Sequence, residues 1–398
     1  MAGGKLVSLQ DAALGLVADM ASLELGKDQI RFAVVPYATF VNVGPDHAPT
    51  INGAGKVTHP GAEWLDQDAR IALPQVDLPD GLSRFAMYRH LGKPWPGCVE
   101  TRQASSSGAH DTDDTVPDPG DPATLFTPTF AIDEPDDKGR YPNSYLPDAG
   151  RPANGKKATA AGRESQLVRY GATETYVKPK NLEDTLAHTS KWKKVKVDDS
   201  ASRFYANESD ARGPGYGCET KPLVPLTSDF ARISTVVKGL SANGSTNTLE
   251  GVMWGWRVLS KRPPFSEGAA KSDAATQKIM IFVTDGANSF GNLPNDLGSG
   301  YSSFGYLVDG RLDGMISANA SQTNDALNDR TEAACGKAKA DGIEIYSIRL
   351  EEPDVSTAAM LANCASGSNH YFDAPSRQDL SDIFRDIRKG IVRVRLTS

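Results

Sequence analysis

The chain has 398 residues, 39% of them hydrophobic and 23% charged, with a formal net charge of -7. That is enough material for two or more folding units with a sizeable core. An acidic chain without a basic stripe argues against a nucleic-acid binder. The densest basic stretch, Lys191 to Lys196, runs straight into Asp198 and Asp199 and reads as a solvated hairpin or helix face. No apolar run reaches the roughly eighteen residues a membrane span needs, and the first residues carry no charged-then-apolar signal pattern.

Residues 5 to 25 read as an amphipathic helix. Leu6, Leu9, Ala13, Leu16, Met20 and Leu23 recur at steps of three and four, and Gly26 is the expected stop. Ile30 to Val35 then reads as a buried strand. From Pro45 to Lys221 Pro, Gly, Asp and Ser become frequent. This stretch reads as a loop-rich insertion whose own core is thin. The division expected is 1–44 for the first part of an α/β domain, 45–221 for the insertion and 222–398 for the second part.

Beyond Pro225 the α/β pattern is clear. Asn247 and Glu250 fit a capping arrangement ahead of a helix bearing Leu249, Val252, Met253, Trp256 and Leu259. Lys278 to Val283 is an uninterrupted apolar strand of the kind covered on both faces, and it ends in Thr284-Asp285-Gly286. A helix near Thr331 to Ala340, a strand over Gly342 to Ile348, a helix around Ala358 to Cys364 and a short strand His370 to Phe372 follow. The last helix carries Leu380, Ile383, Phe384, Ile387 and Ile391. Alternation of this kind predicts a doubly wound, mostly parallel sheet.

Such sheets bind ligands at the carboxyl ends of their strands. Two loops expected at that edge carry oxygen ligands: Gly244-Ser245-Thr246-Asn247 and Thr284-Asp285-Gly286. Hydroxyl and carboxylate oxygens suit a hard cation such as magnesium, manganese or calcium. Each loop alone also reads as plain structure, a helix cap or a turn. In combination, this order of helices, strands and loops resembles the von Willebrand factor A domain over about 1–44 and 222–398. The resemblance implies a Rossmann-like α/β fold, with Thr246 and Asp285 in the second and third loops of a metal-ion-dependent adhesion site. The family's first strand and its D-x-S-x-S loop have no counterpart, and Met1 falls where the methionine of that signature would stand. Two oxygens make a poor cage, so the expectation is weak or absent metal binding here and a complete site only in a longer form. An unfilled place in the sheet also leads us to expect poor solubility or self-association.

Further segments resemble TadG-type assembly proteins of bacterial tight-adherence pili. They are Trp95 to Arg102, Thr124-Leu125-Phe126 with Asp133-Glu134-Pro135, Gly251 to Ser260, Cys364-Ala365-Ser366 with His370 to Ala374, and the ending Val394 to Ser398. This resemblance implies a non-catalytic binding and assembly module. Its partners would be pilus or cell-envelope proteins, and its place the periplasmic or cell-surface side of the envelope. The longer form would carry an N-terminal membrane anchor.

Enzyme signatures are not apparent. The six histidines are dispersed, with no H-E-x-x-H, nucleophile elbow or phosphate loop. The cluster Asp111, Asp113, Asp114, Asp118 and Asp121 reads as a solvated acidic loop rather than a calcium loop. A regulatory A-domain subunit of a metal chelatase, cytoplasmic and thiol-reduced, is the alternative. The cysteines Cys98, Cys218, Cys335 and Cys364 allow three pairings. Right-handed crossovers moving the same way across a sheet set their helices side by side, which predicts Cys335–Cys364. The positions of Cys98 and Cys218 near the two ends of the insertion suggest a second bridge. Four free buried thiols are the other possibility.

Overall fold

The computed structural model describes residues 1, 3–23, 28–136, 140–148, 159–198 and 212–397. Its centre is a parallel sheet of three strands in the order Tyr371–Ala374, Ile343–Leu350, Lys278–Thr284. Side chains alternate across it, as the period of two requires. Met280, Phe282, Ile343 and Ile345 enter one buried cluster with the helices Thr248–Leu259, Ala320–Ala340 and Val355–Cys364. Val283, Tyr346, Ile348 and Leu350 enter another, built with the helices Gly4–Ala21 and Leu380–Thr397. The sheet is therefore covered on both faces, in an α/β architecture.

The remaining α/β strands do not join that sheet. Phe32–Val34 pairs antiparallel with Val224–Thr227 as a separate two-stranded piece, with the helix Phe230–Lys238 packed on it. The sequence predicts a sheet with one strand's place unfilled, and the described strands are divided between Phe32–Val34 and Lys278–Thr284. The first strand is also shorter than Ile30 to Val35, because it has one partner, and the pairing slips by a bulge between Phe32 and Val34.

Several boundaries differ for local reasons. The long helix begins at Ala320, not near Thr331, because Asn319 and Gln322 form a reciprocal capping box at its start. The first helix closes at Ala21, and Gly26 lies outside the described residues. The Asn247 side chain caps Thr248–Leu259 by accepting from the Glu250 N–H. Glu250 does not reach back. It is buried, and accepts instead from Thr101 Oγ1 at 2.6 Å and Trp254 Nε1 at 3.0 Å. The Lys191 to Lys196 stretch is neither hairpin nor helix: it follows the helix Leu182–Thr189 as a turn and irregular chain.

The stretch 45–221 is loop-rich, yet the expectation of a thin core fails. Its residues build much of the largest buried cluster in the molecule, with Trp95, Phe126, Phe130, Tyr145 and Tyr170 at its heart, and share it with Trp254 and Val258 of the Thr248–Leu259 helix. Phe126 stacks 4.9 Å from Trp254, and the Arg102 and Arg257 guanidinium groups stand 4.7 and 4.8 Å from its centre. Buried ion pairs add to this. Glu100 is held between Arg84 at 2.7 Å and Arg311 at 2.6 Å, and the two cations keep its carboxyl below the usual range although burial opposes them. Arg169 meets Asp77 at 3.2 Å, Asp133, and Asp148 at 3.0 Å. Sparse alternation hid this core from sequence reading. Its apolar residues sit on loops, where no period marks them.

Both disulfides form. Cys335–Cys364 ties two neighbouring helices on one face of the sheet, with Cα atoms 5.0 Å apart. Cys98–Cys218 ties the Cys98–Val99 strand to the chain just before Val224–Thr227, with Cα atoms 5.8 Å apart. Beside it the Asn42 side chain donates to Pro96 O at 3.0 Å and Thr220 O at 3.1 Å, and accepts from Gly44 N–H at 2.9 Å.

Candidate functional site

The two loops singled out in the sequence do meet at the carboxyl edge of the sheet. Ser289 N–H donates to Thr246 O at 2.9 Å. A side chain added at Gly286 would stand 3.0 Å from Thr246 Oγ1, so the loops are in contact. A third segment joins them. Asn247 N–H donates to Ala38 O at 3.1 Å, and Ser245 N–H to Thr39 Oγ1 at 3.1 Å. Tyr37 donates its hydroxyl to Val283 O at 2.6 Å, and burial pushes its phenol far up, so it remains a donor. Nothing in the sequence singles out Tyr37, because one aromatic just past a short strand reads as core.

Asp285 is already occupied. The Met1 ammonium lies 3.0 Å from one carboxylate oxygen and Lys5 Nζ 3.4 Å from the other. Lys5 also stands 4.0 Å from Glu351, which pairs with Arg377 at 3.1 Å. Beside the Thr246 hydroxyl, the Asp285 carboxylate thus carries two cations, and Glu351 is taken by Lys5 and Arg377. A divalent cation needs several oxygens and no competing positive charge, so these residues do not fit magnesium, manganese or calcium as the chain stands. Among the described residues no group of three or more His, Cys, Asp or Glu side chains is placed to hold a metal ion.

Behind the loops lies a polar layer that sequence reading missed. Thr248 N–H and Oγ1 both donate to Asn288 Oδ1 at 2.8 Å, and Asn288 Nδ2 donates to Asn328 Oδ1 at 2.8 Å. These groups are buried and satisfied among themselves, so they fix the loops rather than bind.

Part of the acidic cluster is structural rather than solvated, while Asp118 is exposed. Asp111 pairs with Arg330 at 3.0 Å, Asp114 with Arg262 at 3.3 Å, and Asp113 accepts from Thr115 Oγ1 at 2.6 Å. Asp111 and Asp114 are buried. Basic partners distant in sequence reach across to this loop, which composition alone does not reveal.

Comparison with protein families and with characterised proteins finds no match. Among solved structures, the chain is similar to the pilus adhesin SpaC of Lactobacillus rhamnosus GG, at 19% identity over 43% of this chain and 22% of that one, TM-score 0.28. It is similar to the von Willebrand factor domain of the type V pilus tip protein Mfa5 of Porphyromonas gingivalis, at 16% identity over 44% and 77%, TM-score 0.30. Proximal thread matrix protein 1 of the mussel byssus, solved with a zinc-occupied MIDAS motif, matches at 19% identity over 41% and 29%, TM-score 0.24. The chain thus spans less than a third of the adhesin and of the byssus protein. Likenesses at these TM-scores carry no weight beside the geometry itself.

Proposed function

We propose that this chain is a non-catalytic binding and assembly module of a bacterial tight-adherence pilus system, TadG-like and built on a von Willebrand A-type domain. The observation that carries the reading is the meeting of the Gly244–Asn247 and Thr284–Gly286 loops at the carboxyl edge of a sheet covered on both faces. Ligand sites in open α/β sheets lie at that edge. Residues 1–44 and 222–398 would form the A-type unit and 45–221 the insertion that buttresses it.

The two disulfides support a place outside the reducing cytoplasm, on the periplasmic or cell-surface side, with pilus or envelope proteins as partners. Among the described residues no helix is long and apolar enough to cross a membrane. Thr246 and Asp285 would belong to a metal-dependent adhesion site only in a form that brings further oxygen ligands to this edge and removes the cations from Asp285.

The test is genetic. In the source bacterium, loss of this protein should abolish surface pili and adherence to a solid support, and the wild-type chain in its natural context should restore both. Normal pili and adherence without the protein would overturn the reading.

A further inference from the structure

The insertion brings a serine, a histidine and a carboxylate together within seven residues. The strands Ala104–Ser105 and Gly108–Ala109 pair as a short hairpin, and Ser107 stands exposed in its turn. Ser107 Oγ lies 3.0 Å from His110 Nε2, and His110 Nδ1 lies 3.6 Å from Asp113 Oδ1. The second distance is long for a hydrogen bond, as is common in catalytic arrangements without a substrate. His110 is wholly buried, so its ring backs the exposed hydroxyl from inside. A Cβ at Gly108 would meet His110 Cε1 at 2.9 Å, so glycine there lets the ring lie this close to the hairpin.

The polarity of the array follows from burial. Among the described residues the buried Nδ1 makes no hydrogen bond, and it faces the Asp113 carboxylate. A lone pair there would point at a negative charge, so Nδ1 carries the proton. Nε2 is then the acceptor, Ser107 donates to it, and Ser105 Oγ, 2.8 Å away, donates to Ser107. Asp113 stays ionised. Burial opposes this, but Thr115 donates through its Oγ1 and N–H at 2.6 and 3.1 Å and Arg102 stands 3.8 Å away, so the carboxyl is held below its ordinary range. The loop is also pinned from the core. Arg102 donates to Thr115 O at 2.8 Å, Thr124 O at 3.0 Å and Asp113 O at 2.8 Å. Arg330 pairs with Asp111, and Lys337 Nζ donates to Thr112 Oγ1 at 2.9 Å. Such a frame holds the three groups in place before any substrate arrives.

We propose that Ser107 is a nucleophile activated by His110, and that it takes an acyl group from an activated ester or thioester. Ser107 Oγ attacks the carbonyl carbon while its proton passes to His110 Nε2. The tetrahedral adduct then collapses. The bond from carbon to the leaving oxygen or sulfur breaks, and the leaving group takes the proton back from Nε2. The products are an ester on Ser107 and a free alcohol or thiol. Asp113 is a positioning residue, which orients the imidazole and stabilises its charge. The class of donor follows from the oxyanion. The Ser107 N–H is taken by Ser105 Oγ at 3.1 Å, and losing one such donor costs about 10²–10³ in rate. Donors with good leaving groups tolerate that loss, and amides do not. The transfer is a single covalent event on a binding module, and it stands whether or not the chain serves a pilus.

The probe is p-nitrophenyl acetate, added to the purified, disulfide-intact chain. A fast phase should release about one equivalent of p-nitrophenolate. Peptide mapping should place the acetyl group on Ser107, at about a hundredfold the rate of the neighbouring exposed Ser106. Ser107→Ala should lose the fast phase with its melt unchanged. His110→Gln keeps an amide in the pocket but cannot take the proton, and should slow acetylation of Ser107 about a hundredfold. Asp113→Asn should slow it as well and move the pH of half-maximal rate downward, because the imidazolium loses its anionic neighbour while Arg102 stays. A merely structural role for Asp113 would leave that pH where it is. Acetyl groups spread evenly over Ser105, Ser106 and Ser107 would overturn the proposal. So would a fast phase that survives in Ser107→Ala, or full reactivity in His110→Gln. Should His110→Gln fail to fold, the map of the unaltered chain decides alone.

Discussion

The ammonium of Met1 stands 3.0 Å from the carboxylate of Asp285, and both groups are largely shielded, at 15% and 14% exposure. With Lys5 on the other oxygen, the acidic residue best placed to bind a cation is already neutralised.

Metal binding is therefore expected to be absent from this chain. Isothermal titration with magnesium or manganese near neutral pH should give no saturable heat up to millimolar metal. Asp285→Ala should change nothing in that titration, but should lower stability by about 1–3 kcal/mol, because it leaves the Met1 ammonium without its acceptor and Lys5 with Glu351 alone. Micromolar binding that is lost in Asp285→Ala would show the cations to be displaceable.

Trp254, on the Thr248–Leu259 helix, is wholly buried against the insertion, stacked on Phe126 and donating to Glu250. Trp254→Ala should cost about 3–5 kcal/mol and should loosen both parts together in one unfolding transition. Two separate transitions, with only one shifted, would mean that 45–221 folds on its own.

How much of this was legible in the sequence depends on whether periodicity or distant pairing carries the information. Lys278–Thr284, Ile343–Leu350 and the helices after Asn247 and Ala358 were readable, because apolar runs and caps are local signals. The meeting of Thr246 and Asp285 was readable too, since strand order places both at one edge. The core around Phe126 was not, nor the ion pairs Glu100–Arg311 and Asp111–Arg330, because loops have no period and the partners lie far apart in the chain. The resemblance sets Met1 at the same edge, but its ion pair with Asp285 was hidden.

Stability should fall as pH rises toward the alkaline side of neutral. Glu134 is buried, accepting from Asn143 N–H and Tyr306 Oη. Burial raises its carboxyl from 4.5 to about 8. The folded state thus holds a proton that the unfolded chain releases. This contribution is complete below about pH 4.5 and is lost as pH rises through about 8. Its size is on the order of a few kcal/mol. Denaturant melts from pH 5 to 9 should show the decline, and Glu134→Gln should flatten it. An unchanged slope in the variant would assign the effect elsewhere.

The disulfides should matter unequally. Cys335–Cys364 closes 29 residues and Cys98–Cys218 closes 120. Loop entropy gives about 3–4 kcal/mol for the first and about 5 kcal/mol for the second. Non-reducing peptide mapping of protein from its native compartment should recover both pairs. Four alkylatable thiols there would remove the support for an extracytoplasmic setting.

The open edge of Lys278–Thr284 is the feature on which the rest depends, and amide exchange of the free chain reads it directly. Met280 and Phe282, bonded to the neighbouring strand, should exchange at rates set by global unfolding. Ile279 and Ile281, facing the side on which Tyr37 reaches Val283, should exchange orders of magnitude faster. Equal, strong protection of all four amides would mean that this edge is already paired.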